Sequence, residues 1–239
     1  MRQISRICVG IIATFALALT TAGAAAETRL TPHRAHYKVK ISVVSGRLDT
    51  ELRATEHGYV ATHVIRPVGV SKVLTRGEMN VTSEFIPETD GVRPVRYHAI
   101  DTIRDEPEAN IEFDWTSNVA SGTVGNDRVE FHLDGISHDS VSIQYELMYD
   151  LLNGGPSSQY TLFDVEKMRI ANVRNVGTRT VKTDAGTFEV VGIQHQREGS
   201  SRVTTLWCAR ELGYLPVVVE QHRKGKLNFR ATLEEYDRT

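Results

Sequence analysis

The sequence is poor in the residue that staples many small exported domains. It has two cysteines in 239 residues, Cys8 inside an N-terminal apolar segment and Cys208 far downstream. Once that segment is removed, no intramolecular disulfide can form. There is no Gly-x-Ser-x-Gly elbow, so nothing marks a hydrolase nucleophile of that type. There is no glycine-rich phosphate cradle and no zinc-spaced cysteine set. The nine histidines are scattered, and neither a metal nor a cofactor is expected. His33 and His36 have a metal-like spacing, but on a strand residues three apart face opposite ways. Cys208 has no partner base near it and reads as a small buried apolar residue. A dominant charge is also missing: 28 basic residues stand against 30 acidic ones. Removing Arg2 and Arg6 with the leader leaves 26 against 30, and no basic stripe interleaved with aromatics appears, so nucleic acid is not an expected partner.

What is present begins with a secretory leader. Arg2 and Arg6 precede the apolar run Ile7 to Thr20, and Ala24-Ala25-Ala26 offers a small-residue cleavage site. The expectation is a signal peptide over 1–26 and a single β-rich domain over 27–239. No other segment is apolar and long enough to span a bilayer, so the mature chain is expected to have no transmembrane segment and to be periplasmic. Its oligomeric state is open.

The rest of the chain alternates with a period of two. Ala35 to Val43 sets Tyr37, Val39 and Ile41 against His36, Lys38 and Lys40. A Ser45-Gly46 turn and a Glu56-His57-Gly58 turn make tandem hairpins. Val68 to Phe85 is ambiguous, with helical spacing at Val70, Val73 and Leu74 and a strand pattern after Glu78. Ile86 to Pro94 reads as a loop, and further strands follow between Val95 and Leu133. One helix is predicted, Ser140 to Asn153, with Asp139 as its N-cap and Val141, Tyr145, Met148, Tyr149 and Leu152 at helical spacing. Lys167 to Val176 and Thr178 to Thr183 read as separate strands. From Thr187 to Tyr236 four strands follow in succession, with Pro216 able only to begin a strand or sit on an edge. Turn signals roughly ten residues apart predict about a dozen antiparallel strands. The expected architecture is mainly β: one highly curved antiparallel sheet or open barrel with one amphipathic helix.

Four phrases occur together: Asp139-Ser140-Val141-Ser142-Ile143-Gln144-Tyr145, Thr183-Asp184-Ala185-Gly186-Thr187-Phe188, Leu206-Trp207 with Leu215-Pro216-Val217, and Glu220-Gln221. In these the chain resembles the bacterial envelope family catalogued as domain of unknown function 3108. The resemblance implies a secreted or periplasmic curved-sheet domain and brings no activity or catalytic residue. Cys208 stands where that pattern expects an aromatic or other apolar side chain, which agrees with a packing role.

A curved sheet leaves a concave face, the natural ligand site. The candidate ligand-binding residues are Asp101, Asp114, Trp115, Tyr145, His195, Arg202, Trp207 and Glu220. Glu220 either lines a cavity, with Arg202 or His195 opposite, or pairs across the ladder on a solvated face. Asp101 and Asp114 are either carboxylates near a sugar, or outward strand residues or turn acceptors. Trp115 and Trp207 either stack on a ligand or belong to the core. The first functional expectation is binding or carriage of an amphiphilic envelope component, a lipid, glycolipid or glycan. The alternatives are a glycan-processing enzyme drawing on Asp101, Asp114, His195 and Glu220, and a scaffold acting through a sheet edge.

Overall fold

A computed structural model describes residues 29–165 and 167–239; the leader predicted over 1–26 lies outside the described residues. Eight strands form a first meander: β1 (His33–Ile41), β2 (Val44–Ala54), β3 (Tyr59–Pro67), β4 (Met79–Glu88), β5 (Gly91–Asp101), β6 (Glu106–Asp114), β7 (Val119–Val124) and β8 (Asp127–His132). A one-turn helix, α1 (Ser71–Leu74), interrupts the connection from β3 to β4. A two-residue strand, β9 (Ser137–His138), leads into the main helix, α2 (Ser142–Leu152). The chain then returns through β10 (Gln159–Asp164), β11 (Lys167–Thr183), β12 (Gly186–Arg197), β13 (Arg202–Ala209), β14 (Leu215–Arg223) and β15 (Lys226–Arg238).

All fifteen strands lie in one open sheet, ordered β8 to β1, then β15 down to β9. The two meanders are joined where β1 pairs antiparallel with β15, so the first and last strands meet in the middle of the sheet. The free edges are β8 and β9, yet only Leu133 to Ile136 separate them in sequence. A link that short spans about 18 Å at most, so the sheet must curl until its edges nearly meet. Aromatic rings close the gap in place of a hydrogen-bonded ladder. Phe163 on β10 stands edge-on to Phe131 on β8, at 5.2 Å between centroids, and to Phe113 on β6, at 5.5 Å.

α2 lies inside this curl against β4 and β5. Tyr145 is fully buried and stacks on Phe85 at 5.2 Å. Burying a side chain such as Phe85 contributes about 2–3 kcal/mol, which fixes the helix to the concave face. The expected stripe is modified, because Ser142, Glu146 and Leu147 are buried along with Tyr145 and Met148. A helix enclosed by a curled sheet is covered on more than one side, so a single apolar stripe does not describe it.

Several boundaries differ from the sequence reading. Ile86 to Pro94 is a tight turn between two strands. Pro87 and Pro94 sit within those strands, Pro94 beside a register shift at Glu84/Phe85 that relieves the missing N–H. β11 is one seventeen-residue strand. Its pairing with β12 shifts between Asn175 and Thr178, so the break read between Val176 and Thr178 is a bulge. The first hairpin turns at Ser42-Val43, and Gly46 is paired within β2.

Candidate functional site

The site is built around the first turn of α2. Asp139 is buried, and Oδ1 accepts from the backbone N–H groups of Val141 at 2.8 Å and Ser142 at 2.9 Å, which starts the helix. Oδ2 accepts from Ser83 Oγ at 2.6 Å and Ser142 Oγ at 2.9 Å, tying the helix start to β4. Burial raises the pKa of this carboxyl even against those donors. At the other end of α2, Tyr149 Oη donates to Glu88 O at 2.9 Å, and Tyr160 Oη donates to Asp150.

Two adjoining lobes flank the start of α2 and share Ser140, Ile143 and Leu162 as common wall. The first, of about 340 Å³, is a charged lobe: apolar side chains such as Met79, Val81 and Phe163 line most of it, with six charged residues among them. Its charged residues are Asp101, Arg104, Glu106, Asp139, Asp164 and Arg197. Arg104 pairs with Asp101 at 3.4 Å and Arg197 with Asp164 at 3.1 Å. Acidic groups outnumber the two arginines, so this lobe suits a hydroxyl-rich or zwitterionic group better than a bare phosphate.

The second lobe, of about 280 Å³, is apolar, walled by side chains such as Leu147, Val173, Leu206, Val219 and Phe229. Two polar atoms in this wall, His63 Nε2 and Gln144 Nε2, are buried and have no hydrogen-bond partner. Burial, and to a lesser extent the ring of His33, lower the pKa of His63 to about 4. His195, on the same wall, is also lowered to about 4, first by burial and then by Arg197. Both rings are therefore neutral at pH 7, each able to donate at one nitrogen and accept at the other.

The eight candidates from the sequence do not converge. Asp101 lines the charged lobe, 7% exposed, and accepts from the N–H groups of Ile103 and Arg104. His195 lines the apolar lobe. Tyr145 stands behind it in the core, its hydroxyl buried without a partner and its pKa raised by burial. Asp114 caps an exposed turn, accepting from Thr116 N at 2.8 Å and Ser117 N at 3.2 Å. Trp115 donates through Nε1 to Pro94 O at 2.6 Å and packs on Phe113. Arg202 is exposed at the start of β13, opposite Arg223.

Trp207 and Glu220 form a separate cluster. Their neighbours Leu206 and Val219 point into the apolar lobe, so Trp207 and Glu220 face the other side of the sheet. Trp207 Nε1 donates to Glu220 Oε2 at 3.1 Å, and the guanidinium of Arg179 lies 3.6 Å from the indole centroid. Glu220 also pairs with Arg230, its ladder partner, at 3.3 Å. Of the two readings left open for Glu220, the structure places it in the cross-ladder pair.

Sequence reasoning missed Glu146. It is buried on α2, accepts from Val92 N at 2.6 Å, and has its pKa raised to about 7, chiefly by burial. Gly91, with φ of +146°, is part of its seat: a Cβ there would come within 2.5 Å of Glu146 Oε1. Among the described residues, no cluster of three or more metal-binding side chains is present and no helix is long and apolar enough to cross a membrane.

A family model described as protein of unknown function (DUF3108) matches residues 33–232. The chain belongs to the DUF3108 family. No curated protein matches it. Among solved structures it is similar to MucB, at a TM-score of 0.39 and 12% identity, over 89% of this chain and 55% of that one. The chain thus spans little more than half of MucB's length. It is also similar, at a TM-score of 0.38 and 13% identity, to a Bacteroides fragilis NCTC 9343 protein described as exported and of YmcC-like fold; 88% of this chain and 97% of that one are covered.

Proposed function

We propose that this DUF3108 protein is an exported, single-domain periplasmic binder that holds an amphiphilic envelope component, a lipid or glycolipid, in the two lobes beside α2. The apolar part occupies the lobe between α2 and β12–β15. A hydroxyl-rich or zwitterionic head faces Asp101, Arg104 and Arg197. One observation carries the reading: an apolar lobe of about 280 Å³ and a lobe bearing six charged side chains share a wall beside α2, so one ligand with an apolar tail and a polar head can occupy both. The lobes are of the size of small-ligand sites, about 300 Å³ and upward.

The glycan-processing alternative draws no support from its nominated residues. Asp101 and His195 line different lobes, and Asp114 and Glu220 line neither. The edge-scaffold alternative is weakened because β8 alternates Arg128, Glu130 and His132 outward, which discourages edge pairing, and β9 is buried. Native mass spectrometry on protein purified without delipidation tests the proposal. A bound mass that fragments to acyl chains is expected; protein isolated ligand-free from envelope extract, and unable to take up any acyl lipid, contradicts it.

A further inference from the structure

Five large apolar side chains stand exposed on the described surface at one rim of the sheet: Ile41 (44%), Val43 (85%), Val70 (84%), Val73 (81%) and Leu227 (49%). They belong to three segments far apart in sequence that the fold brings together. Ile41 and Val43 flank the β1–β2 turn. Ser42 N donates to Asn228 O at 3.3 Å, placing Leu227 beside that turn. Val68 N donates to Ser45 O at 3.0 Å and Ser45 N donates to Ser71 Oγ at 2.9 Å, holding α1, with Val70 and Val73, against the start of β2. A soluble surface gains nothing by presenting valines at these exposures on tied-down turns, whereas an interface does.

The charge around them is one-sided. Lys40, Lys72, Arg202, Arg223, Lys224 and Lys226 are all exposed, and none of them takes part in an ion pair among the described residues. Asp49 and Glu78, on the strands leading into the rim, are already paired with Arg66 at 3.2 and 2.7 Å. Glu198, in the turn that adjoins Lys224, opposes them, and farther along the rim the β5–β6 turn carries Asp105 and Glu106 beside Arg104. The whole chain has a formal charge of −2, so this cationic rim is a local feature and not a consequence of composition.

We infer that this rim docks on an anionic lipid bilayer, with the valine and leucine tips at the headgroup–acyl boundary and the lysines and arginines among the lipid headgroups. Shallow apolar insertion together with about 1 kcal/mol per basic side chain near an anionic surface gives reversible attachment. Docking stands whether or not the lobes hold a lipid. The charged lobe lies toward this same rim, with Asp101 and Arg104 beside the start of β4, where Thr102 N donates to Glu78 O at 3.0 Å.

Co-sedimentation of the purified protein with vesicles tests this, using equimolar phosphatidylglycerol and phosphatidylcholine against phosphatidylcholine alone. Binding to the anionic vesicles is expected, weakened by high salt. Val70→Ser/Val73→Ser and Lys224→Glu/Lys226→Glu each lower it on the order of tenfold, with circular dichroism and thermal midpoint unchanged because all four positions are exposed. Ile143→Trp, which fills the wall shared by both lobes, leaves vesicle binding intact, so a failure of the ligand reading is distinguishable from a failure of docking. Equal binding by wild type and both double variants overturns the inference, as does no binding to anionic vesicles. So does concentration-dependent self-association that the valine variants abolish, which would make the rim an interface between copies of the chain.

Discussion

Ser83 on β4 donates its hydroxyl to Asp139 at 2.6 Å, so one buried carboxylate both starts α2 and fastens it to the sheet. Helix position, and with it the shape of both lobes, depends on this bond. Asp139→Ala strands the N–H groups of Val141 and Ser142 and the hydroxyl of Ser83. It is expected to cost about 3–5 kcal/mol, against about 1–2 for Ser83→Ala, which leaves the helix cap in place. Urea unfolding of both variants checks the order; equal and small losses would show that the helix is held by packing alone.

Glu146 predicts an unusual pH slope. Its folded pKa, about 7, lies above the ordinary 4.5. Between those values the native protein binds a proton that the unfolded chain has released, so this group lowers stability as pH rises, by on the order of 2–3 kcal/mol in all. Glu146→Gln can still accept from Val92 N and is expected to be more stable than wild type at pH 8 and about equal at pH 4. Gly91→Ala pushes into the carboxylate and is expected to destabilise at both pH values. Thermal midpoints across that range read both effects.

Histidines act in the opposite direction. His63 and His195 have folded values of about 4, and burial lowers His138 to about 3. Below about 6.5 the unfolded chain takes up protons that these buried rings refuse, so stability falls as pH drops from 6.5 toward 4. Three such groups outweigh Glu146 in the acid range, and the maximum is expected near pH 6–7. A His63→Gln/His195→Gln variant should flatten the acid limb; an unchanged limb would mean the rings gain protons without unfolding.

Cys208 is 2% exposed, and burial pushes its pKa up to about 12. It is expected to resist maleimide in native protein and to react on unfolding, because the thiolate is the reactive form. Rapid native labelling would show that β13 opens.

The mainly antiparallel sheet and the single long helix were legible, though not the strand order, because two-residue alternation and helical spacing report directly on which residues face a core. The lobes were not. Alternation marks Leu206 and Trp207 as facing opposite ways without saying which way is inward, and both flanking strands are largely apolar. Glu220 drew attention because it follows a run of valines, yet that run is buried on both faces and the carboxylate belongs to the outer one. Glu146 and His63 went unnoticed because a buried polar residue looks in sequence like a solvent-facing one. The break read between Val176 and Thr178 misled for a related reason: a bulge and a strand end bend the chain alike, and a glycine between two strand patterns fits either.

The central claim, that the lobes beside α2 hold an acyl-bearing ligand, is tested most directly by Ile143→Trp. Ile143 lies in the wall common to both lobes, so the larger ring fills them from the inside. Uptake of an environment-sensitive fluorescent acyl probe should saturate in wild-type protein and fall at least on the order of tenfold in the variant at matched thermal stability. Equal uptake by both proteins, or none by wild type, contradicts the account.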